Sequence, residues 1–356
     1  MTVFLIIVVI ALLGVTFWQM SKILNLSKSG HEDASQIAND NDNKNQAYIM
    51  FGFVIALYMF MFYSFVEWGD LYLPEAASEH GADYDKLMFI SVALIMTVQL
   101  ITQFLLFFFA YKYRGVKGKK ALFYADNDKL EFIWTIIPVI VLAGLIIYGL
   151  FTWSDIMNID EDEDTLVVEI YAYQFGWKAR YAGEDNTLGQ ANVRFIQGTN
   201  TVGLDESDGY GMDDKITTEL HLPVDRPVLF KFRSQDVLHS AYFPFFRAQM
   251  NVVPGMVTQF SFTPTITTEK MRTSEFMVEK VDELNRIRKE RSKELEAKGD
   301  VALDPYEFEY YLLCNKICGI SHFNMQMKIV VEEEQEFNSW ISEQGTFGET
   351  LKKEEE

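Results

Sequence analysis

Cys314-Asn-Lys-Ile-Cys318-Gly-Ile-Ser-His322-Phe-Asn-Met325 is the stretch on which the reading of the chain turns. It holds both cysteines of the protein, with a histidine four residues after the second and a methionine three residues beyond that. Thiolate, thioether and imidazole form a soft ligand set. It suits copper rather than magnesium or calcium, and Cys, His and Met together are the ligands of copper electron-transfer sites. A single-copper site of that kind needs one cysteine; a second on the same short loop would bring both sulfurs to one point, where they could bridge two copper ions. Two other readings stand beside this one: a disulfide across the loop, or two buried thiols that pack. The loop carries one imidazole, so a second must come from elsewhere.

Of the 356 residues 49% are hydrophobic and 15% aromatic, yet 23% are charged and the net charge is -20. That mixture fits neither a soluble domain nor a membrane bundle, unless the two characters separate along the chain. They do. The long apolar runs all lie before residue 154, and the remainder is polar enough for a soluble domain of about 200 residues. Four runs, Thr2 to Trp18, Ala47 to Val66, Leu87 to Tyr111 and Phe132 to Trp153, contain no charged residue. Each is near or above the roughly 17 residues that span the hydrocarbon core as a helix. The first has no basic residue before it and no small-x-small pattern after it, so it reads as a retained helix rather than a signal peptide. Gln99 and Gln103 share a face of the third run, suited to contact with another helix. Pro138 falls in the first turns of the fourth, which membrane helices tolerate.

Residues 112–130 carry Lys112, Arg114, Lys117, Lys119, Lys120 and Lys129, whereas the loop 68–86 sets Lys86 against Asp70, Glu75, Glu79, Asp83 and Asp85. The basic loop belongs in the cytoplasm. The loop 19–46, with Lys22, Lys28 and Lys44, falls on the same side and has the composition of a flexible linker. Both termini and the carboxyl-terminal domain then lie outside, on the periplasmic side of a bacterial inner membrane.

The outer domain opens on an acidic run, Asp160 to Asp164, read as a polar linker. Thr165 to Tyr181 alternates and reads as one long strand or a strand pair. Residues 183–215, dense in Gly, Asn and Asp, read as loop with a short strand at Val193 to Ile196. Glu219 to Pro223 and Arg226 to Arg233 are further strands. Of the five histidines, His31 and His80 sit in loops at the membrane segments and His221 within an alternating strand. His239, in Ser234-Gln-Asp-Val-Leu-His239-Ser-Ala-Tyr-Phe-Pro244, lies in a turn-like position just past a strand and supplies the missing imidazole.

Together these segments resemble subunit II of cytochrome c oxidase, the subunit of haem-copper oxidases that bears the dinuclear CuA centre. The cysteine loop is similar to the family pattern Cys-x-Glu-x-Cys-Gly-x-x-His-x-x-Met. Asp236-Val-Leu-His239-Ser, Pro254-Gly255-Met256, Leu220-His-Leu-Pro223 and Arg226-Pro-Val match neighbouring family segments, and Leu130-Glu131-Phe-Ile-Trp134-Thr135-Ile-Ile-Pro138 resembles the start of the family's second transmembrane helix. The resemblance implies a cupredoxin-like β-barrel on a helical hairpin, for which the third and fourth spans would be the usual pair; with the four transmembrane helices read from the apolar runs (1–153), the barrel takes 154–345 and a charged tail 346–356. It implies electron transfer from cytochrome c, or a cytochrome c domain of a donor complex, to haem a in subunit I, coupled to proton translocation. Cys314 and Cys318 would bridge two coppers, His239 and His322 would bind one each, and Met325 and the Lys316 carbonyl would be axial ligands. Subunit I, other oxidase subunits and membrane lipid are the implied partners; nucleic acid is not among them. Glu131, three residues before Trp134-Thr135, matches a family carboxylate at the mouth of a proton path, although an interfacial helix charge is the plainer reading. A membrane-anchored copper chaperone or structural protein is the alternative function.

Three departures from the family pattern matter. Lys316 replaces the usual Glu or Gln between the cysteines; its carbonyl still serves copper, but an ammonium group cannot help bind the family's magnesium ion, and no magnesium site is expected. Gln174-Phe175-Gly-Trp177 replaces Gln-Trp-x-Trp, so Phe175 stands where the family takes up electrons, with Trp177 beside it; packing is the alternative role for both. An insertion from about 267 to 304 separates His239 from Cys314. It is expected to form a helix over Val278 to Ala297, closed by Gly299. Its narrow apolar stripe, Val281, Leu284 and Ile287, fits either a salt-bridged surface helix or a docking element.

Overall fold

The computed structural model describes residues 2–28, 39–158 and 164–355. His31, part of the 19–46 linker and most of the acidic run after Ile159 lie outside the described residues. The chain divides into two compact units, Met1–Asp70 with Val92–Thr135, and Leu71–Ser91 with Ile136–Glu356.

Among the described residues four helices are long and apolar enough to cross a membrane: α1 (Thr2–Lys28), α2 (Asp40–Tyr72), α3 (Glu79–Lys112) and α4 (Asp128–Met157). Each outruns its uncharged segment because the helix continues through polar residues at its ends. Asp40 and Asp42 occupy the first turn of α2, and Asp128 and Glu131 that of α4, where unpaired N–H groups favour carboxylates. Within the first unit Lys22 pairs with Asp42, Asn43 donates to the Gly115 carbonyl, and the Tyr58 hydroxyl donates to the Leu100 carbonyl. Tyr48 and Phe51 pack on Tyr111.

The second unit is built on ten strands: β1 (Leu166–Tyr173), β2 (Gly176–Tyr181), β3 (Lys215–Thr217), β4 (Leu220–Pro223), β5 (Val228–Ser234), β6 (His239–Phe243), β7 (Ala248–Val252), β8 (Thr258–Phe262), β9 (Tyr310–Cys314) and β10 (Gln326–Glu332). They form two five-stranded sheets, ordered β3-β2-β1-β5-β8 and β4-β10-β9-β6-β7. β1/β5 and β4/β10 pair parallel, and the other ladders run antiparallel. This is the cupredoxin-like sandwich. Its core is apolar and aromatic, with Val168, Ile170, Phe230 and Phe232 from one sheet and Leu222, Phe243, Leu312 and Ile329 from the other all buried. The Thr165 to Tyr181 segment resolves into the pair β1 and β2, turned at Gln174 and Phe175.

Two pieces of chain lie over the sandwich. The 183–215 segment contains no strand at Val193 to Ile196; Val193–Phe195 is a 3-10 turn, because the Asn192 side chain takes the Arg194 amide and closes the chain locally. This segment is tied to the sheet where Arg180 pairs with Asp214 and donates to the Gly189 carbonyl and where Arg233 donates to the Val202 carbonyl, while both arginines pair with Glu169 inside the sheet. Helix α8 (Phe347–Glu355) seals it, with Phe347 buried against Tyr171, Val202 and Leu204. The insertion forms α5 (Thr268–Arg272) and α6 (Glu275–Glu296). The latter starts three residues before Val278 because the Ser274 hydroxyl accepts from the Met277 amide and caps it. Its return segment runs back along it: Asn285 exchanges two hydrogen bonds with the Tyr306 backbone, Arg288 donates to the Asp304 carbonyl and Ser292 accepts from the Leu303 amide. Val281 and Leu284 are half-buried, while Ile287 stays 50% exposed. Helix α7 (Glu334–Glu343) lays Trp340 flat on His221 with ring centroids 3.8 Å apart.

Candidate metal centre

Strand register creates the site. β6 begins at His239 and β9 ends at Cys314, and the pairing of Ala241 with Cys314 sets those two strand ends side by side. The loop after Cys314 is closed at its base, where the Cys314 amide donates to the Met325 carbonyl, and is stitched to β6 by the Asn315 amide on the Ser240 carbonyl. Inside the loop a 3-10 turn, His322–Asn324, presents the second imidazole. Gly319, at φ 146°, lets the loop approach β2's turn; a Cβ there would sit 2.7 Å from the Phe175 ring.

The structure gathers the soft ligands predicted from the sequence. The ligand atoms of His239, Cys314 and Cys318 all lie within 4.8 Å of one another. The two sulfurs are 3.9 Å apart and both cysteines are free, so no disulfide crosses the loop. His239 Nδ1 is 3.9 Å from the Cys314 sulfur, and His322 Nδ1 is 3.6 Å from that of Cys318. Met325 Sδ is 3.7 Å from the Cys318 sulfur, and the Lys316 carbonyl accepts from the Cys314 thiol at 3.2 Å. His239 is fully buried and both cysteines and Met325 nearly so. Burial, then the neighbouring Cys314, pushes the Cys318 thiol up to about 11.

Two sulfurs between two imidazoles, with a thioether and a carbonyl at the flanks, is a donor set that fits a pair of copper ions. It does not fit magnesium. Lys316 is exposed, and its ammonium group is a cation that cannot ligate another.

The surroundings hold residues that sequence reasoning missed. Asp236 accepts at 2.8 Å from His239 Nε2, and also takes the backbone amides of Gln174 and Val237. Burial opposes ionisation of Asp236, but those three donors hold its carboxyl below the ordinary value. The Gln174 side chain donates to the Cys318 carbonyl. An Asp three residues before a ligand histidine was the available signal for Asp236; nothing local marked Gln174. Trp177 is 3% exposed, edge-on to the His239 ring at 6.1 Å, and its indole N–H reaches the Met325 carbonyl at 3.5 Å. Phe175 is half-buried against Gly319. At the rim Ile317, Ile320 and Phe323 are 88–89% exposed. In the loops 174–177, 235–240, 253–257 and 315–325 the charged residues are Asp236 and Lys316. Glu131 belongs to the other compact unit, exposed in the first turn of α4 with its amide bonded to the Asn127 carbonyl.

The family model for the cytochrome c oxidase subunit II transmembrane domain matches residues 66–151. The alternative cytochrome c oxidase subunit 2 of Bradyrhizobium diazoefficiens is 30% identical over 262 residues, which is 72% of this chain and 79% of that protein. Cytochrome c oxidase subunit 2 of Cereibacter sphaeroides is 21% identical over 71% of this chain and 73% of its own length. A crystal structure of the periplasmic domain of cytochrome oxidase subunit II from Bradyrhizobium japonicum superposes with a TM-score of 0.28 at 17% identity, over 50% of this chain and 91% of that one.

Proposed function

The chain belongs to the cytochrome c oxidase subunit II family, and from that premise we propose that it takes up electrons from a cytochrome c, or a cytochrome c domain of a donor complex, and passes them to haem a in subunit I. One observation carries the reading: His239, Cys314, Cys318, His322, Met325 and the Lys316 carbonyl converge on one end of the sandwich. A dinuclear copper pair bound there supplies one-electron redox chemistry with its charge spread over two metals.

The chain's own residues do the rest. The two strand ends hold His239 and Cys314 against rearrangement, so little reorganisation accompanies electron transfer. Trp177 braces His239 and Met325 at once and excludes water from behind them. Phe175, on the rim against Gly319, is the nearer of the two aromatics to solvent and is our candidate for electron uptake. The net charge of -20 attracts a basic donor at long range, whereas the immediate rim offers Ile317, Ile320 and Phe323 for apolar contact. Glu131 is assigned to the mouth of a proton path, with the basic 112–130 loop cytoplasmic and the copper site and both termini periplasmic. Stopped-flow mixing of the oxidase with reduced cytochrome c tests the proposal: the copper absorbance should bleach before haem a is reduced. Haem a reduction without a preceding copper phase would contradict it.

A further inference from the structure

The two candidate histidine ligands are not equivalent. His239 is fully buried and donates a hydrogen bond from Nε2–H to Asp236 at 2.8 Å, which leaves the Nδ1 lone pair facing the cysteine sulfurs. Asp236 is itself held on both oxygens: Oδ1 also takes the Val237 amide at 2.7 Å, and Oδ2 takes the Gln174 amide at 2.7 Å. His322 is half-buried, its Nδ1 faces Cys318, and among the described residues Nε2 has no hydrogen-bond partner. A carboxylate on the far nitrogen of a ligating imidazole fixes its tautomer and raises its basicity as a donor. A charged acceptor does this about twice as strongly as a neutral one.

We propose that Asp236 is a positioning residue that makes His239 the stronger of the two imidazole donors, so that oxidised charge is held preferentially at the metal position His239 binds. The proposal rests on reading the cluster as a dinuclear copper site. Within it, Asp236 does more than brace the 235–238 turn: it lowers the potential of the centre and fixes which of two chemically similar positions is the more oxidised.

The test uses the full-length chain purified in detergent, loaded with copper, as wild type, Asp236→Asn and Asp236→Ala. Asparagine keeps an oxygen for His239 and Val237 but carries no charge and gives up the bond from the Gln174 amide; alanine removes the oxygen as well. Copper per chain, the histidine nitrogen couplings by electron-nuclear double resonance, and the midpoint potential are measured. Wild type should bind two coppers and show two unequal nitrogen couplings. Asp236→Asn should bring the couplings closer together and shift the reduction equilibrium about tenfold toward the reduced form, roughly 59 mV for one electron. Its copper should also be removed by a chelator some 10–100-fold more readily. Asp236→Asn indistinguishable from wild type in couplings and potential, with only Asp236→Ala altered, would show a mere brace and overturn the proposal. Should Asp236→Asn not fold, Asp236→Glu, which keeps the charge but displaces it, should move both readouts in the same direction by less; no movement overturns the proposal equally. A wild-type chain without two coppers overturns the copper-site reading itself, and the proposal with it.

Discussion

Replacing Arg180 with methionine should cost about 4 kcal/mol of folding stability at neutral pH, and much less in mild acid. The Arg180 side chain is 2% exposed, and its partners Glu169 and Asp214 are 5% and 0% exposed. It gives two bonds to Glu169, one to Asp214 at 2.7 Å and one to the Gly189 carbonyl at 2.9 Å. Without it Glu169 keeps both bonds from Arg233, but Asp214 keeps only the Gly189 amide, and its Oδ1 already lacks a partner. Burial pushes the Asp214 carboxyl up to about 6 even with Arg180 holding it down. In the variant that carboxyl escapes an unpaired buried charge by taking a proton. Full protonation at pH 7 from a solution value of about 3.9 costs ~4 kcal/mol at 1.36 kcal/mol per unit, but the native rise to about 6 already carries roughly 3 of that, so Asp214 adds about 1 kcal/mol. The lost bonds to Glu169 and the Gly189 carbonyl bring the total into the roughly 3–5 kcal/mol lost when one partner of a buried pair is removed.

The sign follows from linkage. A carboxyl raised on folding binds its proton more tightly in the native state, so stability falls as pH rises from the unfolded value toward the folded one. Methionine raises the folded value of Asp214 further. It also removes one of the two cations that, against burial, hold Glu169 below its ordinary value. Both losses are full at neutral pH and close as pH falls toward about 4. Urea titration of the detergent-purified chain, followed by tryptophan fluorescence, should show the midpoint falling by roughly 2 M near pH 7 for a slope of about 2 kcal/mol per M. Near pH 5 the drop should be clearly smaller. A deficit under about 1 kcal/mol, or one equal at both pH values, would refute the reasoning.

Cys318→Ser removes one of the two sulfurs proposed to bridge the coppers and should lower bound copper from two to one per chain, with loss of the mixed-valence signal; metal analysis and EPR check this. Glu131→Gln should slow proton uptake and oxidase turnover several-fold while leaving the copper spectrum unchanged, and unaltered turnover would remove Glu131 from the proton path. Deleting 275–299 with a short linker separates the two roles of the insertion. Because α6 spends much of its stripe on its own return segment, we expect oxidase assembly to survive and donor turnover to change less than twofold; lost assembly would identify α6 as a docking element.

The parts of this molecule written in local pattern were legible in its sequence. Uncharged runs marked the four helices, alternation marked β1, β2, β4 and β5, and residue chemistry with spacing marked Cys314, Cys318, His322 and Met325. What was not legible depends on distant partners. β6, β7 and β9 are short and flanked by polar turns, and their strand character comes from pairing between residues as far apart as Ala241 and Cys314. Val193 to Ile196 looked like a strand, but Asn192 caps it into a turn. Glu169 and Arg180 are charged residues within the alternating Thr165 to Tyr181 segment, yet both are buried, because the 183–215 segment and α8 cover that face. Asp236 gained its meaning only once Nε2 of His239 was seen to point at it.

The copper content and EPR spectrum of the purified full-length chain test the account at its centre. Two coppers per chain, with one unpaired electron shared between both nuclei, is the predicted result. One copper with a mononuclear spectrum, or none retained after dialysis, would contradict it.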